Sequence, residues 1–173
     1  GLDGVFISRD AEIEAGTTIL PGTILKKGVR IGANCVIGPN TLLEQTEVGN
    51  SSRINASQSY QSWIGNGVSI GPFCHIRPNS RILDGVHIGD FVEVKNSVVG
   101  EETHISHLTY VGDSDVGKGV NFGCGCVTVN YNGQEKNRCR IGDHAFIGCN
   151  TNLVAPVTIG DYGYTAAGST ITD

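Results

Sequence analysis

The sequence predicts an all-β protein folded as a parallel β-helix, and three observations lead to this prediction. Aliphatic residues recur every six positions along almost the whole chain of 173 residues. A glycine often follows the aliphatic residue directly, as in Ile31-Gly32 and Ile70-Gly71, and a small or β-branched residue comes four positions after it. Each group of six residues therefore reads as a short strand and a turn, with two side chains pointing inward.

The repeat keeps its register from Ile13 to Ile171, with occasional steps of five residues. Its inward aliphatic or equivalent positions are Ile13, Ile19, Leu25, Ile31, Ile37, Leu43, Val48, Ile54, Ile64, Ile70, Ile76, Ile82, Ile88, Val94, Val99, Ile105, Val111, Val116, Phe122, Thr128, Ile141, Ile147, Leu153, Ile159, Thr165 and Ile171. We expect a short insertion between Ile54 and Ile64, and a loop extruded at residues 129–140. Because three groups of six close one triangular coil, the chain has room for about nine coils.

The composition restricts the classes of partner. A formal net charge of −5 argues against a nucleic-acid partner, which requires a basic face. No apolar run approaches the length of a membrane span, so no membrane partner is expected. The six cysteines fit neither a paired disulfide framework nor a CxxC metal site, and a reducing cytoplasm is the expected compartment. The repeat instead predicts Cys35, Cys74, Cys126 and Cys139 to be core thiols.

One outward column of the predicted helix places a histidine next to a row of small side chains. Residues three repeats apart stack on neighbouring strands, and the column consists of Pro72, Asp90, His107, Cys124, Cys149 and Ala167. The steps from His107 to Ala167 span about 14 Å at about 4.8 Å per strand. This length suits a groove for a slender extended ligand. The alternative is that the repeat simply tolerates small residues on its surface.

A second outward cluster combines two cations with polar neighbours. Arg77 and Lys95 stack one coil apart, and His75, Glu93 and Tyr110 form the adjacent column. Like charges on adjacent strands repel each other unless an anion lies between them. Two cations and a phenol therefore indicate a phosphate site. The alternative is a pair of solvated basic residues on an acidic protein.

The expected loop is a further candidate site. The Asn132-Gly133 pair indicates a tight turn in the loop, which also contains Asn130, Tyr131 and Lys136. Loops on a rigid scaffold often contain functional groups, although a tolerated surface insertion is the alternative.

A ladder of His87, His104 and Asn121 stacks two histidines on the predicted surface. Two histidines without a third ligand in the same ladder are a weak metal signal. We therefore predict no metal in this domain.

Several longer strings resemble one known family. These are FVEVKN (91–96), SHLTYVGD (106–113), GVNFGCG (119–125), VNYNG (129–133) and LVAPVTIG (153–160). They are similar to the C-terminal acetyltransferase domain of the bifunctional N-acetylglucosamine-1-phosphate uridylyltransferase / glucosamine-1-phosphate N-acetyltransferase. The resemblance covers essentially the whole chain, including the loop. It implies a left-handed β-helix, with residues 1–173 as one domain of a longer bifunctional chain.

The resemblance also implies an activity. Enzymes of this family move an acetyl group from acetyl-CoA to the amine of glucosamine 1-phosphate, in UDP-N-acetylglucosamine synthesis for peptidoglycan and lipopolysaccharide. The family also implies a homotrimer with sites between subunits.

Individual residues match the family's site. His107 corresponds to the proton acceptor, for which Glu93 is a candidate orienting partner. The substrate contacts correspond to Arg77, Lys95, Tyr110 and Asn121, with Lys136 on the loop. The acetyl-CoA contacts correspond to Cys124, Asn130, Tyr131, Cys149 and Ala167. The chain departs from the family where Gly-Ala-Gly-Thr becomes Gly-Cys-Gly-Cys at 123–126, and where a usual serine is Cys149.

Three other classes of protein share a repeat of this kind. A structural or ice-binding β-helix would show a flat ladder of threonines, and the outward columns here are mixed. A metal-dependent enzyme resembling the γ-class carbonic anhydrases needs three histidines that converge across a subunit interface. The spacing of the five histidines does not supply such a set: His75, His87, His104, His107 and His144. A non-catalytic relative is the third alternative, because of the two cysteine substitutions in the groove.

Overall fold

The repeat folds into short strands that all run parallel within three sheets. The structure is a computed structural model that describes residues 4–173. In this range the chain forms 28 strands of two to four residues, and none of its segments is a helix long and apolar enough to cross a membrane. Three sheets wound around one axis form a triangular β-helix, with one strand of each sheet in every coil.

The strands are divided among the sheets in strict rotation. The first sheet contains β1 (Phe6–Ile7), β4 (Ile24–Leu25), β7 (Leu42–Glu44), β10 (Gln58–Tyr60), β13 (His75–Ile76), β16 (Glu93–Lys95), β19 (Tyr110–Gly112), β22 (Val127–Val129), β25 (Asn152–Val154) and β28 (Thr170–Ile171). The second contains β2 (Glu12–Ile13), β5 (Arg30–Ile31), β8 (Glu47–Val48), β11 (Trp63–Ile64), β14 (Arg81–Ile82), β17 (Val98–Val99), β20 (Ser114–Val116), β23 (Cys139–Ile141) and β26 (Val157–Ile159). The third contains β3 (Thr18–Ile19), β6 (Val36–Ile37), β9 (Arg53–Ile54), β12 (Ser69–Ile70), β15 (His87–Asp90), β18 (His104–His107), β21 (Asn121–Phe122), β24 (Phe146–Ile147) and β27 (Tyr164–Thr165).

The register of the sheets confirms three repeats per coil. On the third sheet, Ile88 pairs with Ile70 on one side and with Ile105 on the other, and Ile105 then pairs with Phe122. Sheets of ten, nine and nine strands correspond to about nine coils. The predicted all-β parallel β-helix is therefore confirmed.

The expected insertion between Ile54 and Ile64 was wrong. Ser59 occupies the inward position there, where it pairs with Leu43 and Ile76, so the repeat continues in two steps of five residues. The Ser59 side chain is buried, and its hydroxyl lies 3.2 Å from the hydroxyl of Thr46. The aliphatic pattern does not reveal this strand, because a hydrogen-bonded serine takes the place of an isoleucine.

The core is a stack of aliphatic side chains running along the axis. The inward positions from Leu25 to Leu153 are almost all buried, and each fully buried aliphatic side chain contributes about 1.5–3 kcal/mol relative to an exposed one. The four predicted core thiols are buried, as expected: Cys35, Cys74, Cys126 and Cys139. Within residues 4–173, every buried polar side-chain atom has a hydrogen-bond partner.

The corner between the second and third sheets is held by a ladder of side-chain hydrogen bonds. The backbone N–H of Asn66 donates to Oδ1 of Asp84 at 2.8 Å, and that of Asp143 donates to Oδ1 of Asp161 at 2.8 Å. The structure shows that these carboxylates bind the N–H groups of the preceding coil, where the turn leaves them without a strand partner.

Candidate active site

The predicted proton acceptor lies at a corner between the third and first sheets. His107 ends β18 and Asp90 ends β15, and the two residues are register partners on adjacent strands. The residues that follow them, Leu108 and Phe91, both adopt a left-handed conformation, with φ of 48° and 57°. Both coils therefore turn at the same point, and this alignment brings Nδ1 of His107 to 2.8 Å from Oδ1 of Asp90.

This contact determines which nitrogen of His107 is free. A carboxylate oxygen accepts a hydrogen bond, so the ring carries its proton on Nδ1 and leaves Nε2 as an acceptor. The hydrogen bond from His107 lowers the pKa of Asp90 below its ordinary value, which keeps this carboxylate ionised. More than half of the His107 side chain is exposed, so Nε2 is accessible to a ligand.

Glu93, the candidate orienting partner of His107, lies elsewhere. Its Oε1 accepts a hydrogen bond from Nη1 of Arg77 at 2.7 Å on the outer face of the first sheet. Its strand, β16, lies past the corner from His107. The partner is Asp90, which the repeat had placed in the same column without giving it a role.

The small side chains form the expected column beside His107. Backbone hydrogen bonds run along it: the N–H of Gly125 donates to the carbonyl of His107 at 3.3 Å, and the N–H of Asn150 donates to that of Cys124 at 2.8 Å. One coil further, the N–H of Gly168 donates to the carbonyl of Cys149 at 2.7 Å, which brings the column to Ala167. Cys124 is half-buried, and Cys149 and Ala167 are exposed.

The surface next to this column is also shallow. On the adjacent outward positions lie Gly123 and Gly148, and a Cβ on Gly123 would collide with the backbone of Cys149. Gly123 therefore leaves backbone partly exposed beside the column, whereas Gly148 is buried under the next coil. A thin chain ending in a small acyl group fits such a surface, because it needs close approach along several coils and little width.

The predicted cation cluster forms a cleft at the corner between the first and second sheets. Its volume is about 330 Å³, and its lining includes Arg77, Lys95, Asp113 and Lys136. Arg77 and Lys95 occupy matching positions on adjacent strands, as predicted. Each also has a carboxylate partner: Arg77 binds Glu93, and Nζ of Lys95 lies 3.6 Å from Oδ2 of Asp113.

The extruded loop brings a third cation to this cleft. The pKa of Lys136 is lowered, chiefly because its ammonium group lies beside that of Lys95. Two ammonium groups this close repel each other, and an anion between them would relieve the repulsion. Together with Arg77, they give the cleft the charge and the donors that bind a phosphate group.

Asp113 is the buried centre of this cluster. Only 4% of the residue is exposed, and it accepts hydrogen bonds from Nδ2 of Asn96 at 2.6 Å and from Nδ2 of Asn130. Burial raises the pKa of Asp113, but the two hydrogen bonds and the charges of Lys95 and Lys136 outweigh it, and the net pKa is lowered. Asp113 therefore remains an anion that holds a strand, a turn and the loop together.

Tyr110 and Asn130 meet above Gly112. Nδ2 of Asn130 lies 3.3 Å from the hydroxyl of Tyr110, and a Cβ on Gly112 would overlap that hydroxyl. A glycine at this position lets the phenol lie flat against the strand. Asn130 thus lies beside the cation cleft and on another side of the corner from the column of Cys124; its expected contact with acetyl-CoA stays a prediction.

The loop itself is a small hairpin over residues 130–138. Tyr131 and Lys136 form an antiparallel bridge, and the side chain of Asn132 accepts hydrogen bonds from the N–H groups of Gln134 and Glu135 at 2.9 Å. This confirms the predicted turn, although residues 129, 139 and 140 belong to strands. Tyr131 is exposed, and its hydroxyl donates to the carbonyl of Gly133.

Arg138 anchors the base of the hairpin. Its guanidinium donates to the carboxylate of Asp115 and to the carbonyls of Asn96 and Ser114, the last two at 3.1 Å. Sequence reasoning missed Arg138, Asp113 and the role of Asp90. Asp113 ends one of the family strings, and that was its only signal. Arg138 had none, because it lies in the loop that breaks the repeat.

Asn121 lies apart from the other substrate candidates. It is on β21 of the third sheet, next to His104 and Phe146 on the neighbouring strands. Tyr110 is on β19 of the first sheet. The chain therefore divides the predicted site between two faces of the triangle, with His107 at the corner that joins them.

The histidine ladder is present as predicted. The rings of His87 and His104 lie edge to face, 5.9 Å apart, and burial together with the charges of His104 and His107 lowers the pKa of His87. Among residues 4–173, no group of three or more His, Cys, Asp or Glu side chains is arranged to hold a metal ion.

The triangular helix of six-residue repeats is shared with a family of bacterial transferases. A profile of the family described as bacterial transferase hexapeptide (six repeats) matches residues 10–45, 61–96 and 138–173. These segments make up more than half of the chain, which therefore belongs to this family.

Particular members share about half of its residues. The bifunctional protein GlmU of Geobacillus sp. (strain WCH70) is 52% identical over 168 residues, which are 97% of this chain and 37% of the relative. The bifunctional protein GlmU of Clostridium acetobutylicum is 49% identical over 171 residues, which are 99% of this chain and 38% of the relative. The chain thus spans little more than a third of the length of these curated relatives.

The fold is also found in a solved structure. The Arabidopsis UDP-N-acetylglucosamine acyltransferase superposes with a TM-score of 0.55 at 17% identity, covering 96% of this chain and 70% of that chain. At this level of identity the match supports the β-helix fold alone.

Proposed function

We propose that this chain is an acetyltransferase domain that moves an acetyl group from acetyl-CoA to the amine of glucosamine 1-phosphate. The observation that carries the proposal is the oriented pair of His107 and Asp90 between a shallow groove and a cleft with three cations. The strings shared with the bifunctional family, and the relatives at about 50% identity, support the same reaction.

The cation cleft is suited to the sugar phosphate. Arg77, Lys95 and Lys136 supply charge-assisted donors, and the phenol of Tyr110 lies next to them. Binding the phosphate here leaves the sugar ring to extend toward the corner where His107 lies. His107 and Tyr110 are three residues apart, at most about 10 Å along an extended strand, which is within the reach of a hexose.

His107 acts as the general base. Its Nε2 takes a proton from the sugar amine as the new amide bond forms, and Asp90 stabilises the resulting imidazolium. The C–S bond of the thioester breaks, and the CoA thiolate leaves and takes up a proton as the free thiol. A positioned base of this kind is worth about 10²–10⁴ in rate. When bound, acetyl-CoA supplies the acetyl group as an activated thioester. Cys124, Cys149 and Ala167 are proposed to line its acyl end, with Asn130 and Tyr131 as further contacts.

We also propose that two copies of the chain complete each site. Asn121 is on the third sheet and Tyr110 is on the first, and a site shared between two chains would present the Asn121 of one chain and the Tyr110 of the other to the same sugar. The corner between these sheets has an exposed apolar ladder of Phe73, Phe91 and Leu108, in which the two phenyl rings stack at 5.3 Å. Packing this ladder against another copy in a homotrimer would bring the first sheet of one chain toward the third sheet of its neighbour.

The product would enter UDP-N-acetylglucosamine synthesis, and from there peptidoglycan and lipopolysaccharide. We propose the cytoplasm as the site of this reaction, and the six free thiols support a reducing compartment.

The test is turnover of the purified chain with defined acceptors. Release of the CoA thiol is measured with glucosamine 1-phosphate and, as a matched control, with glucosamine. We expect transfer to the phosphorylated sugar, with much weaker transfer to glucosamine. His107→Ala should reduce kcat by about 10²–10⁴, whereas His144→Ala, a histidine stacked on Tyr162, should not. A folded chain that turns over neither sugar, or a His107→Ala variant at full rate, would contradict the proposal.

A further inference from the structure

Two thiols lie side by side where the groove passes from one coil to the next. Asn121 and Phe122 of β21 pair with Phe146 and Ile147 of β24, and the register continues past both strands because the N–H of Asn150 donates to the carbonyl of Cys124 at 2.8 Å. Cys124 and Cys149 are therefore direct neighbours. Their Cα atoms lie about one strand spacing apart, about 4.8 Å, which is inside the range of about 4.4–6.8 Å seen for disulfides.

The Cys149 side chain leans toward the coil of Cys124. A Cβ built on Gly123, the residue before Cys124, would lie 2.9 Å from Sγ of Cys149. Because Gly123 has no side chain, nothing from that residue separates the two sulfur atoms. The pKa of the buried Cys126 is raised, chiefly by burial. The negative charges that Cys149 and Cys124 carry as thiolates also raise it, which shows that both sulfur atoms lie near Cys126.

These two are the reactive thiols of the described chain. Cys149 is exposed and Cys124 is half-buried, whereas the other four cysteines are buried. Burial raises the pKa of Cys74 and raises that of Cys139 to about 11, which disfavours their thiolates. Oxidation follows thiolate character and exposure, so an oxidant reaches Cys149 first.

We infer that Cys124 and Cys149 form a modification site that takes peroxides and closes to a disulfide. The Cys149 thiolate attacks the peroxide oxygen, breaks the O–O bond and becomes a sulfenic acid; the hydroxide that leaves takes up the proton that the Cys149 thiol had lost and becomes water. The Cys124 thiolate then attacks that sulfur and the S–O bond breaks; this second hydroxide takes up the proton of the Cys124 thiol and leaves as water. In sum, two thiols and one hydrogen peroxide give one disulfide and two waters; the thiols lose two electrons and the peroxide gains them.

The disulfide would change the groove at its acyl end. It replaces two separate small side chains by a rigid bridge across two coils, in the same outward column as His107. The effect on acetyl transfer rests on the proposed function, whereas formation of the bond does not. The alanine and serine that the family usually has at these positions cannot make this bond, so the site belongs to this chain's own sequence.

The experiment separates bond formation from activity. The reduced chain, freed of reductant, is treated with hydrogen peroxide; remaining thiols are then alkylated under denaturing conditions and the protein is digested with trypsin. Cleavage after Lys and Arg leaves Cys124 in peptide 119–136 and Cys149 in peptide 141–173. Cys139 is then in a separate peptide, 139–140, and cannot be confused with either. We expect a linked pair of the two longer peptides, lighter than their sum by two hydrogens. Fragmentation between Cys124 and Cys126 identifies the linked residue.

Activity is followed by the mass of the acetylated sugar, because a thiol reagent would also react with the protein. Peroxide should abolish most of the transfer and dithiothreitol should restore it. Cys149→Ser and Cys124→Ala, each compared with its own untreated rate, should be insensitive at the same peroxide dose. Circular dichroism checks that both variants fold.

Three outcomes would overturn the inference. In the first, Cys149 gains oxygen atoms while Cys124 remains open to alkylation. In the second, the link joins two molecules, which a non-reducing gel shows as a covalent dimer. In the third, the 124–149 link forms but the treated chain keeps its full rate, which removes the effect on transfer. An untreated chain without turnover would instead contradict the proposed function, and the peptide link would still test the thiol pair.

Discussion

Oδ1 of Asp90 lies 2.8 Å from Nδ1 of His107, between strands of adjacent coils. A carboxylate in this position has two effects on a general base. It holds the ring in the tautomer that leaves Nε2 free, and it stabilises the positive charge that the ring gains with the proton. Both effects act during proton transfer to His107. Loss of the carboxylate should therefore lower kcat more than it weakens substrate binding.

Replacing Asp90 by Asn should therefore lower kcat with little change in KM. The amide still fits the space but has no charge to stabilise the imidazolium. We expect a loss of about tenfold or more, yet below the about 10²–10⁴ expected when the base itself is removed. Steady-state kinetics for both substrates, with thermal unfolding of the same variant, provide the measurement.

Glu93→Gln is the matched control, because Glu93 is a carboxylate near the site that binds Arg77 and not His107. It binds Arg77 at 2.7 Å, so its loss should alter the KM for glucosamine 1-phosphate through the phosphate cleft and leave kcat nearly unchanged. If Glu93→Gln reduced kcat and Asp90→Asn did not, the orienting partner of His107 would be misassigned.

The charge of Lys136 should act on sugar-phosphate binding. Lys136→Ala removes one of three cations from the cleft, and a charge-assisted hydrogen bond is worth about 1.5–3 kcal/mol, so the KM for glucosamine 1-phosphate should rise by about 10- to 100-fold. The KM for acetyl-CoA should change much less. Lys27→Ala, a substitution far along the helix, serves as the control and should behave as the unmodified chain. Equal changes in both KM values would argue against a phosphate role.

The pH dependence of anion binding should also depend on Lys136. Its pKa is lowered by the neighbouring Lys95, so the cleft loses a positive charge at a lower pH than an isolated lysine would. Affinity for inorganic phosphate should be full below that pKa and fall as the pH rises through it. Calorimetric titration at several pH values measures this. Lys136→Arg, which stays charged over the whole range, should flatten the profile; an unchanged profile would exclude Lys136 as its cause.

The sequence predicted the fold well because the repeat is local. Six residues are enough to specify a strand and a turn, and the same six-residue solution recurs, so Ile70, Ile88 and Ile105 could be stacked by counting alone. The counting failed at Ser59, where a hydrogen-bonded hydroxyl replaces an aliphatic side chain in the core. A pattern based on hydrophobicity cannot recognise such a position.

The site was predicted less completely, because its contacts depend on side-chain direction. Counting placed His107, Cys124, Cys149 and Ala167 in one column. It did not show whether Asp90 or Glu93 would reach the histidine, since both are one coil away and only the corner separates them. Partners such as Asp113, from coils joined by the hairpin, could not be found by spacing, because the loop breaks the repeat at that point.

The hydrogen bonds of Asp113 predict a pH-dependent contribution to stability. Its pKa in the folded chain is below its ordinary value, so its stabilising effect is fully present above the unfolded pKa and is lost as the pH falls through the folded pKa. Asp113→Asn should then reduce the free energy of unfolding at neutral pH by about 1–3 kcal/mol, since it weakens hydrogen bonds to a charged group. The difference from the unmodified chain should shrink in acid. Urea unfolding at several pH values measures both.

The same substitution should also affect the loop. Without the carboxylate, Asn130 and Lys95 lose a common partner, so the hairpin at 130–138 should become more susceptible to proteolysis after Lys136. Glu135→Gln, an exposed carboxylate on the hairpin, is the matched control and should change neither stability nor cleavage. If Asp113→Asn left the unfolding free energy unchanged at neutral pH, the buried carboxylate would not be what holds the strand, the turn and the loop together.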